Sequence, residues 1–181
     1  MAVNNAYIAL ANGDVAAAES SLAKASNANG YNEALGNLYT AKGNYAQAAQ
    51  NLSGAKTNGA ALAQILNKDY NAAKNTLDEV KNPDAITSYL KAIVAARTNQ
   101  NSTAMANLRD AIAKDPSLKS YAAKDLEFKA LANDAAFQSL VNNPVIKPNP
   151  INPSGRLVRF EGFSNLSRRL DRACSAAVRR A

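Results

Sequence analysis

The sequence predicts an all-α fold: an α-α superhelix, or solenoid, of about four short helical hairpins followed by a C-terminal helical cap. Hydrophobic residues make up 47% of the 181 residues but aromatic residues only 6%, a balance typical of closely packed, alanine-rich helices. Apolar residues recur at spacings of three and four, the period of a helix face. The same pattern of bulky and small residues also returns along the chain, as it does in repeat proteins.

The clearest hairpin is predicted over residues 31–56. Leu35 and Tyr39 are four residues apart and therefore stack on one helix face. Gly43 and Asn44 then interrupt the pattern, because glycine tolerates the positive φ of a helix C-terminus and asparagine can cap the next helix. The segment thus predicts two helices joined by a turn.

Small residues are predicted to let the two helices of this hairpin approach closely. Gly36 and Ala48 are the small residues of the seam, and Leu52 fills the volume beside them. The offsets recur, so we predict four repeats, over residues 3–27, 31–56, 58–80 and 84–116. The counterparts of Ala48 and Leu52 are Ala18 and Leu22, Ala73 and Leu77, and Ala104 and Leu108.

This pattern resembles the tetratricopeptide repeat, whose signature includes Leu-Gly, Tyr, two alanines and a closing proline over about 34 residues. The resemblance covers roughly residues 3–116, and Pro116 stands at the closing position of the fourth repeat. The chain departs from the family in spacing, because the key alanines are 30, 25 and 31 residues apart. The second repeat carries the signature through Leu35, Gly36, Tyr39, Ala48, Leu52 and Ala55. Alanine replaces the glycine at Ala6, Ala61 and Ala92.

The resemblance implies a non-enzymatic scaffold that binds a protein or a peptide on the concave side formed by first helices. Alignment to the second repeat gives Tyr7, Asn37, Tyr89 and Arg97 as the predicted contacts. The family's clamp for a terminal carboxylate is not expected, because Val3 and Tyr7 occupy its first lysine and asparagine positions. Other residues share this side, and the apolar ones can instead pack against neighbouring helices: Val3, Leu10, Glu33, Thr40, Asn58, Leu62, Ile65 and Ile93.

Residues 117–142 are predicted to form the cap that covers the last repeat, since a solenoid otherwise exposes its final apolar seam. Their predicted apolar set is Tyr121, Leu126, Phe128, Leu131, Phe137, Leu140 and Val141. The stretch DLEFKALANDAAFQSLV is similar to the closing segment of tetratricopeptide regions in cell-envelope proteins of Bacteroidota-type bacteria. That likeness implies a periplasmic location within a longer protein, although the chain begins without a signal-peptide pattern.

Residues 143–155 are predicted to be a linker, because four prolines keep the segment extended. Residues 156–181 form an Arg-rich tail, in which apolar residues recur at threes and fours with arginines between them. A basic amphipathic helix of this kind can bind an anionic membrane or a nucleic acid. The alternative is that the tail is an appended vector or readthrough sequence, which the change from lysine to arginine favours.

The sequence offers little catalytic chemistry. Histidine is absent, which excludes Ser-His-Asp and Cys-His arrangements, and no phosphate-binding loop, zinc-ligand spacing or calcium loop occurs. Asp78 with Glu79, and Asp125 with Glu127, are interpreted as solvated or capping carboxylates. We therefore expect no enzyme activity, cofactor or metal, no nucleic-acid partner for the helical body, and membrane contact only through the tail.

Overall fold

The computed structural model describes residues 1–25 and 28–142. These residues contain no strand, and the prediction of an all-α fold is confirmed. The predicted linker and Arg-rich tail lie outside the described residues. Four consecutive helix pairs come first: α1 (Ala2–Ala11) and α2 (Val15–Ala23), α3 (Tyr31–Lys42) and α4 (Tyr45–Asn51), α5 (Asn58–Leu66) and α6 (Tyr70–Asp78), and α7 (Ala85–Arg97) and α8 (Asn101–Lys114). They are followed by α9 (Leu118–Ala122), a 3-10 helix (Leu126–Leu131) and α10 (Ala135–Asn142).

The helices pack in the order in which the chain makes them. Within each pair the first helix contacts the second, and the second helix then contacts the first helix of the next pair. The first helices also contact one another directly, α1 with α3, α3 with α5, and α5 with α7. Neighbouring pairs therefore lie side by side, and the first helices form a connected layer.

The turn inside each pair uses one left-handed residue, and in the first three pairs the side chain of the next residue caps the second helix, whereas Gln100 in the fourth turn forms no such bond. Gly43 has a φ of 78°, and the Asn44 side chain accepts a hydrogen bond of 3.3 Å from the Gln47 N–H, as the sequence predicted. Asp14 and Asp69 cap α2 and α6 in the same way. The left-handed residues of the other three turns are Gly13, Lys68 and Asn99.

Small residues set the spacing of helices within a pair. A Cβ atom on Gly36 would lie 3.0 Å from Leu52 Cδ1 and closer still to its Cγ, so α3 meets the Leu52 side chain directly. The predicted key alanines are fully buried in all four pairs: Ala18, Ala48, Ala73 and Ala104. The close approach that the pattern of small residues predicted is therefore present.

The apolar core is divided into three clusters that follow one another along the chain. The first is built from α1, α2 and α3, and the second joins α4 to α5. The third and largest extends from α5 through α8 to α10. Helix α7 lies within it and is buried nearly all round, with 11 of its 13 residues inaccessible, as expected for a helix that is apolar on every side.

The segment predicted as a cap covers α7 and α8. The Phe128 ring packs edge-on against the Tyr89 ring at a centroid distance of 5.5 Å, and it also contacts Phe137 at 6.1 Å. Leu126, predicted to be part of the apolar set, is instead 51% exposed. A 3-10 helix has three residues per turn, so Phe128 and Leu131 share its inward side while Leu126 does not.

Candidate functional site

Polar side chains lie on the first helices of all four pairs. We call this set the first-helix seam and define it as Tyr7 on α1, Glu33 and Asn37 on α3, Asn58 on α5 and Thr87 on α7. The first four are half-buried, so none of them is closed off from solvent. Two of the four predicted contact residues, Tyr7 and Asn37, belong to it.

The first link of the seam joins α1 to α3. The Tyr7 hydroxyl interacts with the Asn37 side chain and with the Glu33 carboxylate, and both affect its pKa. Burial raises the pKa of Tyr7, the negative charge of Glu33 raises it further, and the hydrogen bond with Asn37 only partly opposes them. The phenol therefore stays protonated at neutral pH and remains available as a hydrogen-bond donor.

The second link is a close approach of α3 and α5. A Cβ atom on Gly59 would lie only 3.2 Å from Asn37 Oδ1, which is tighter than an ordinary van der Waals contact. Glycine in the first turn of α5 thus leaves room for the Asn37 amide. The Asn37 amide therefore lies between Tyr7 on α1 and Gly59 on α5.

The third link joins the N-termini of α5 and α7 through a hydrogen-bonded network. The Asn58 Nδ2 donates to Asp84 Oδ1 at 3.0 Å, and the Thr87 hydroxyl lies 2.9 Å from Asn58 Oδ1. Asp84 caps α7, because its carboxylate accepts from the Thr87 N–H at 2.8 Å and the Thr87 hydroxyl reaches back to the Asp84 N–H at 3.1 Å. The N-terminal capping of α7 and this link of the seam thus depend on the same three side chains.

Partial burial and hydrogen bonding act on the Asp84 carboxyl in opposite directions. Burial disfavours the ionised form and would raise its pKa, but hydrogen bonds from Thr87 and Asn58 outweigh it. The pKa of Asp84 is therefore lowered. The network holds the ionised carboxylate, which accepts several hydrogen bonds at once.

The other two predicted contact residues bind the cap. Tyr89 is only 1% exposed, and its hydroxyl donates to Asp125 Oδ2 at 2.7 Å. The Arg97 guanidinium forms a two-pronged ion pair with the Glu127 carboxylate, one N–O distance being 2.7 Å. Helix α7 is the first helix of the final pair, and no further pair follows it. Residues 117–142 therefore occupy the side of α7 on which these two residues lie. They hold the cap in this structure and are not part of the accessible seam.

Of the two cap carboxylates that the sequence interpreted as solvated or capping, Asp125 caps a helix, whereas the Glu127 carboxylate is only 10% exposed and is paired with Arg97. Asp125 Oδ1 accepts a hydrogen bond of 3.0 Å from the Glu127 N–H, which caps the 3-10 helix. The sequence analysis also placed apolar residues on the same side as the four predicted contact residues, and gave packing against neighbouring helices as their alternative role. The structure shows them packed in this way. These are Val3, Leu10, Leu62, Ile65 and Ile93, each no more than 8% exposed.

A cleft of about 240 Å³ between α6, α7 and α8 is a second candidate site, and the sequence did not indicate it. Leu77 and Val94 line it. At its edge Asp78 pairs with Lys91 at 2.7 Å and with Lys74 at 2.9 Å. The hydrogen bond from Lys91, followed by that from Lys74, lowers the pKa of Asp78. Only the i,i+4 pair of Lys74 and Asp78 was visible as a sequence signal.

Two kinds of feature were searched for in residues 1–25 and 28–142. No group of three or more Cys, Asp or Glu side chains in that part of the chain is arranged to hold a metal ion. No helix among the same residues combines the length and the apolar character that crossing a bilayer requires.

Comparison with known proteins leaves the family unassigned. The chain matches no protein-family model, no curated protein and no solved structure. The resemblance to the tetratricopeptide repeat is therefore carried by the residues of the second repeat and their counterparts. The packing of helices in consecutive pairs is compatible with it.

Proposed function

We propose that the chain is a non-enzymatic scaffold of the tetratricopeptide-repeat kind, which binds a protein or peptide along the first-helix seam. The observation that carries this proposal is the set of polar side chains on neighbouring first helices, Tyr7 beside Asn37 on one side and Asn58 bonded to Thr87 on the other. It places hydrogen-bonding groups on each of four neighbouring helices, although Thr87 itself is buried. A row of this length suits an extended ligand better than a small molecule.

The chemistry of the seam matches the backbone of an extended peptide. Such a peptide presents N–H and C=O groups at regular intervals, and the seam offers amide groups on Asn37 and Asn58 together with the protonated Tyr7 phenol. These side chains are already positioned by contacts within the protein. Binding would therefore order few additional groups, which favours affinity.

The proposed concave surface follows from how the pairs are stacked. The first helices contact one another in sequence, and three apolar clusters succeed each other along the chain. Both features support a stepped α-solenoid, in which each pair contacts mainly its neighbours. In that arrangement the seam would lie on the inner side of the curve.

The seam is tested with a double variant, Tyr7→Phe with Asn37→Ala, and a matched control, Asn71→Ala with Asn107→Ala, in the α6–α7–α8 cleft. Proteins retained by the immobilised chain are identified, purified and titrated against each variant by calorimetry. We expect the seam variant to lose affinity by about tenfold or more, the factor for one charge-free hydrogen bond at the upper end of its range. We expect the control to bind as the unmodified chain does.

The opposite pattern would overturn the proposal. If the cleft variant loses affinity and the seam variant does not, the cleft is the binding surface. If the seam variant also unfolds more than about 5 °C lower, its side chains act mainly in stability. Circular dichroism of both variants is therefore measured beside the titrations.

The alternative function is a peripheral module whose basic tail binds an anionic membrane or a nucleic acid. It is supported by the uneven charge of the sequence, since 7 of the 21 basic residues and only 2 of the 14 acidic residues follow Pro153. Truncation after Val145 separates the two functions. Liposome or nucleic-acid binding that is strong, salt-sensitive and lost on truncation assigns binding to the tail. The periplasmic location implied by the second resemblance is likewise a proposal.

A further inference from the structure

The chain contains three Asn-Gly dipeptides, at Asn12, Asn29 and Asn58. Asn-Gly is chemically reactive, because glycine lacks a side chain that would shield its backbone nitrogen and it turns easily to bring that nitrogen onto the asparagine side chain. The three have the same neighbour on the reactive side. Differences among them therefore arise from their places in the fold.

Asn58 is held in an unreactive position. Its Nδ2 donates to Asp84 Oδ1 at 3.0 Å, and its Oδ1 lies 2.9 Å from the Thr87 hydroxyl. The following Gly59 belongs to the first turn of α5. Both the side-chain amide and the backbone would have to leave these positions before they could react.

Asn12 is held less firmly. It is exposed and follows the last residue of α1, and its own N–H donates to the Ile8 carbonyl at 3.0 Å. The nitrogen that would attack, that of Gly13, donates to the Leu10 carbonyl at 3.1 Å. The reaction at this position requires that one backbone hydrogen bond to open.

Asn29 is not restrained at the two groups that react, although the Tyr31 N–H donates to the Ala28 carbonyl at 3.0 Å across the dipeptide and the Gly30 carbonyl accepts from the Ala34 N–H at 3.0 Å. Its side chain is exposed in the connection between α2 and α3, and Gly30 has a φ of 79°, the left-handed region that glycine adopts without cost. Within residues 1–25 and 28–142, no carbonyl accepts from the Gly30 N–H and no group bonds to the Asn29 amide. We propose that Asn29 is the principal site at which the folded chain deamidates.

The reaction is balanced with water as the only co-reactant. The Gly30 nitrogen loses its proton to base and bonds to Asn29 Cγ, and the side-chain amide leaves as ammonia after taking up a proton. Water then opens the resulting cyclic imide at either carbonyl. The products are aspartate, or isoaspartate with the main chain running through the side-chain carbon. Each product carries one added negative charge four residues before Glu33 of the first-helix seam.

The test follows all three sites in the same sample. The full-length folded chain is incubated at mildly alkaline pH, and tryptic peptides are analysed over time by mass spectrometry with separation of aspartate and isoaspartate. Cleavage after lysine places the three sites in different peptides: residues 1–24, 25–42 and 57–68. We expect conversion at Asn29 to be about tenfold faster than at Asn12, the factor for one restraining hydrogen bond at the upper end of its range, and Asn58 to be slowest.

Two controls separate the effect of the fold from that of local sequence. In concentrated urea the three rates should converge, because all three dipeptides then sample open conformations. In the folded Thr87→Val variant, conversion at Asn58 should accelerate while that at Asn29 stays unchanged. The proposal is overturned if Asn12 or Asn58 converts as fast as Asn29 in the folded chain, or if the order of rates is the same in urea.

Discussion

Gly36 is the residue at which side-chain size decides how closely two helices approach. Its position faces Leu52, which is only 1% exposed and cannot turn aside into solvent. The other repeats have alanine at this position, and Ala6, Ala61 and Ala92 are fully buried. In the second pair, the Leu52 side chain therefore occupies the space that a methyl group at position 36 would need.

Replacing Gly36 with alanine is expected to lower the free energy of unfolding by about 1 kcal/mol. Overpacking costs roughly 1–3 kcal/mol, and the better helix propensity of alanine returns about 0.5–1 kcal/mol. Urea unfolding measures the difference. Gly54→Ala is the control, because no atom lies within 4 Å of a Cβ built there; equal effects of the two substitutions would show that packing against Leu52 is not the cause.

The N-terminus of α7 is where the seam and the stability of one element meet. Asp84 accepts hydrogen bonds from Thr87 and Asn58, and these bonds are stronger when the carboxyl is ionised. Its folded pKa is lowered, so its contribution is complete above the unfolded value of about 3.9 and is lost as the pH falls through the lower folded value. Acid should therefore loosen α7 from α5.

The variant Asp84→Asn is expected to flatten the acid side of the pH–stability curve. Unmodified chain should lose stability as the pH falls below about 4, and the variant should lose less over the same interval because the asparagine caps the helix at every pH. Thermal unfolding between neutral pH and that interval gives the comparison. Thr87→Val should flatten the curve similarly, since it removes one source of the lowered pKa; a variant curve parallel to that of the unmodified chain would rule out Asp84 as the titrating group.

At the scale of single helices, the local sequence predicted the helices and turns. Which predicted contact residues are accessible depends instead on tertiary contacts. The Gly43–Asn44 turn and the pairing of helices followed from short-range chemistry. Tyr89 and Arg97 were predicted as contacts by alignment to the second repeat, whose first helix has no cap beside it. Their bonds to Asp125 and Glu127 join residues far apart in sequence, so no local pattern could reveal them. The ion pair of Lys91 with Asp78 was hidden for the same reason.

For the whole molecule, the division of the core into three clusters bears on how the chain unfolds. In a single-core bundle, loss of one large side chain weakens every element, whereas in a stack of pairs the loss stays mainly with neighbouring pairs. Leu22 belongs to the first cluster and Leu108 to the third. Both are almost completely buried, at 2% and 0% exposure, so they form a matched pair for distinguishing the two cases.

Leu22→Ala and Leu108→Ala should each cost about 2–5 kcal/mol locally. Hydrogen exchange followed by mass spectrometry is expected to show faster exchange in α1–α3 for the first variant and in α7–α10 for the second. The remote helices should exchange as in the unmodified chain. Uniform acceleration along residues 1–142 in both variants would indicate one cooperative core and would contradict the proposed solenoid.

The burial of α7 on nearly every side determines where the chain can be divided for study. In fragments that stop just after Arg97, the apolar surface of this helix would be exposed to solvent, and such fragments should aggregate. Division at Asn82 and Pro83, before this helix begins, keeps it with α8 and the cap but removes α5 and α6, which pack against it in the same apolar cluster. Fragments for study should therefore keep α5 through α10 together, because one apolar cluster joins these helices.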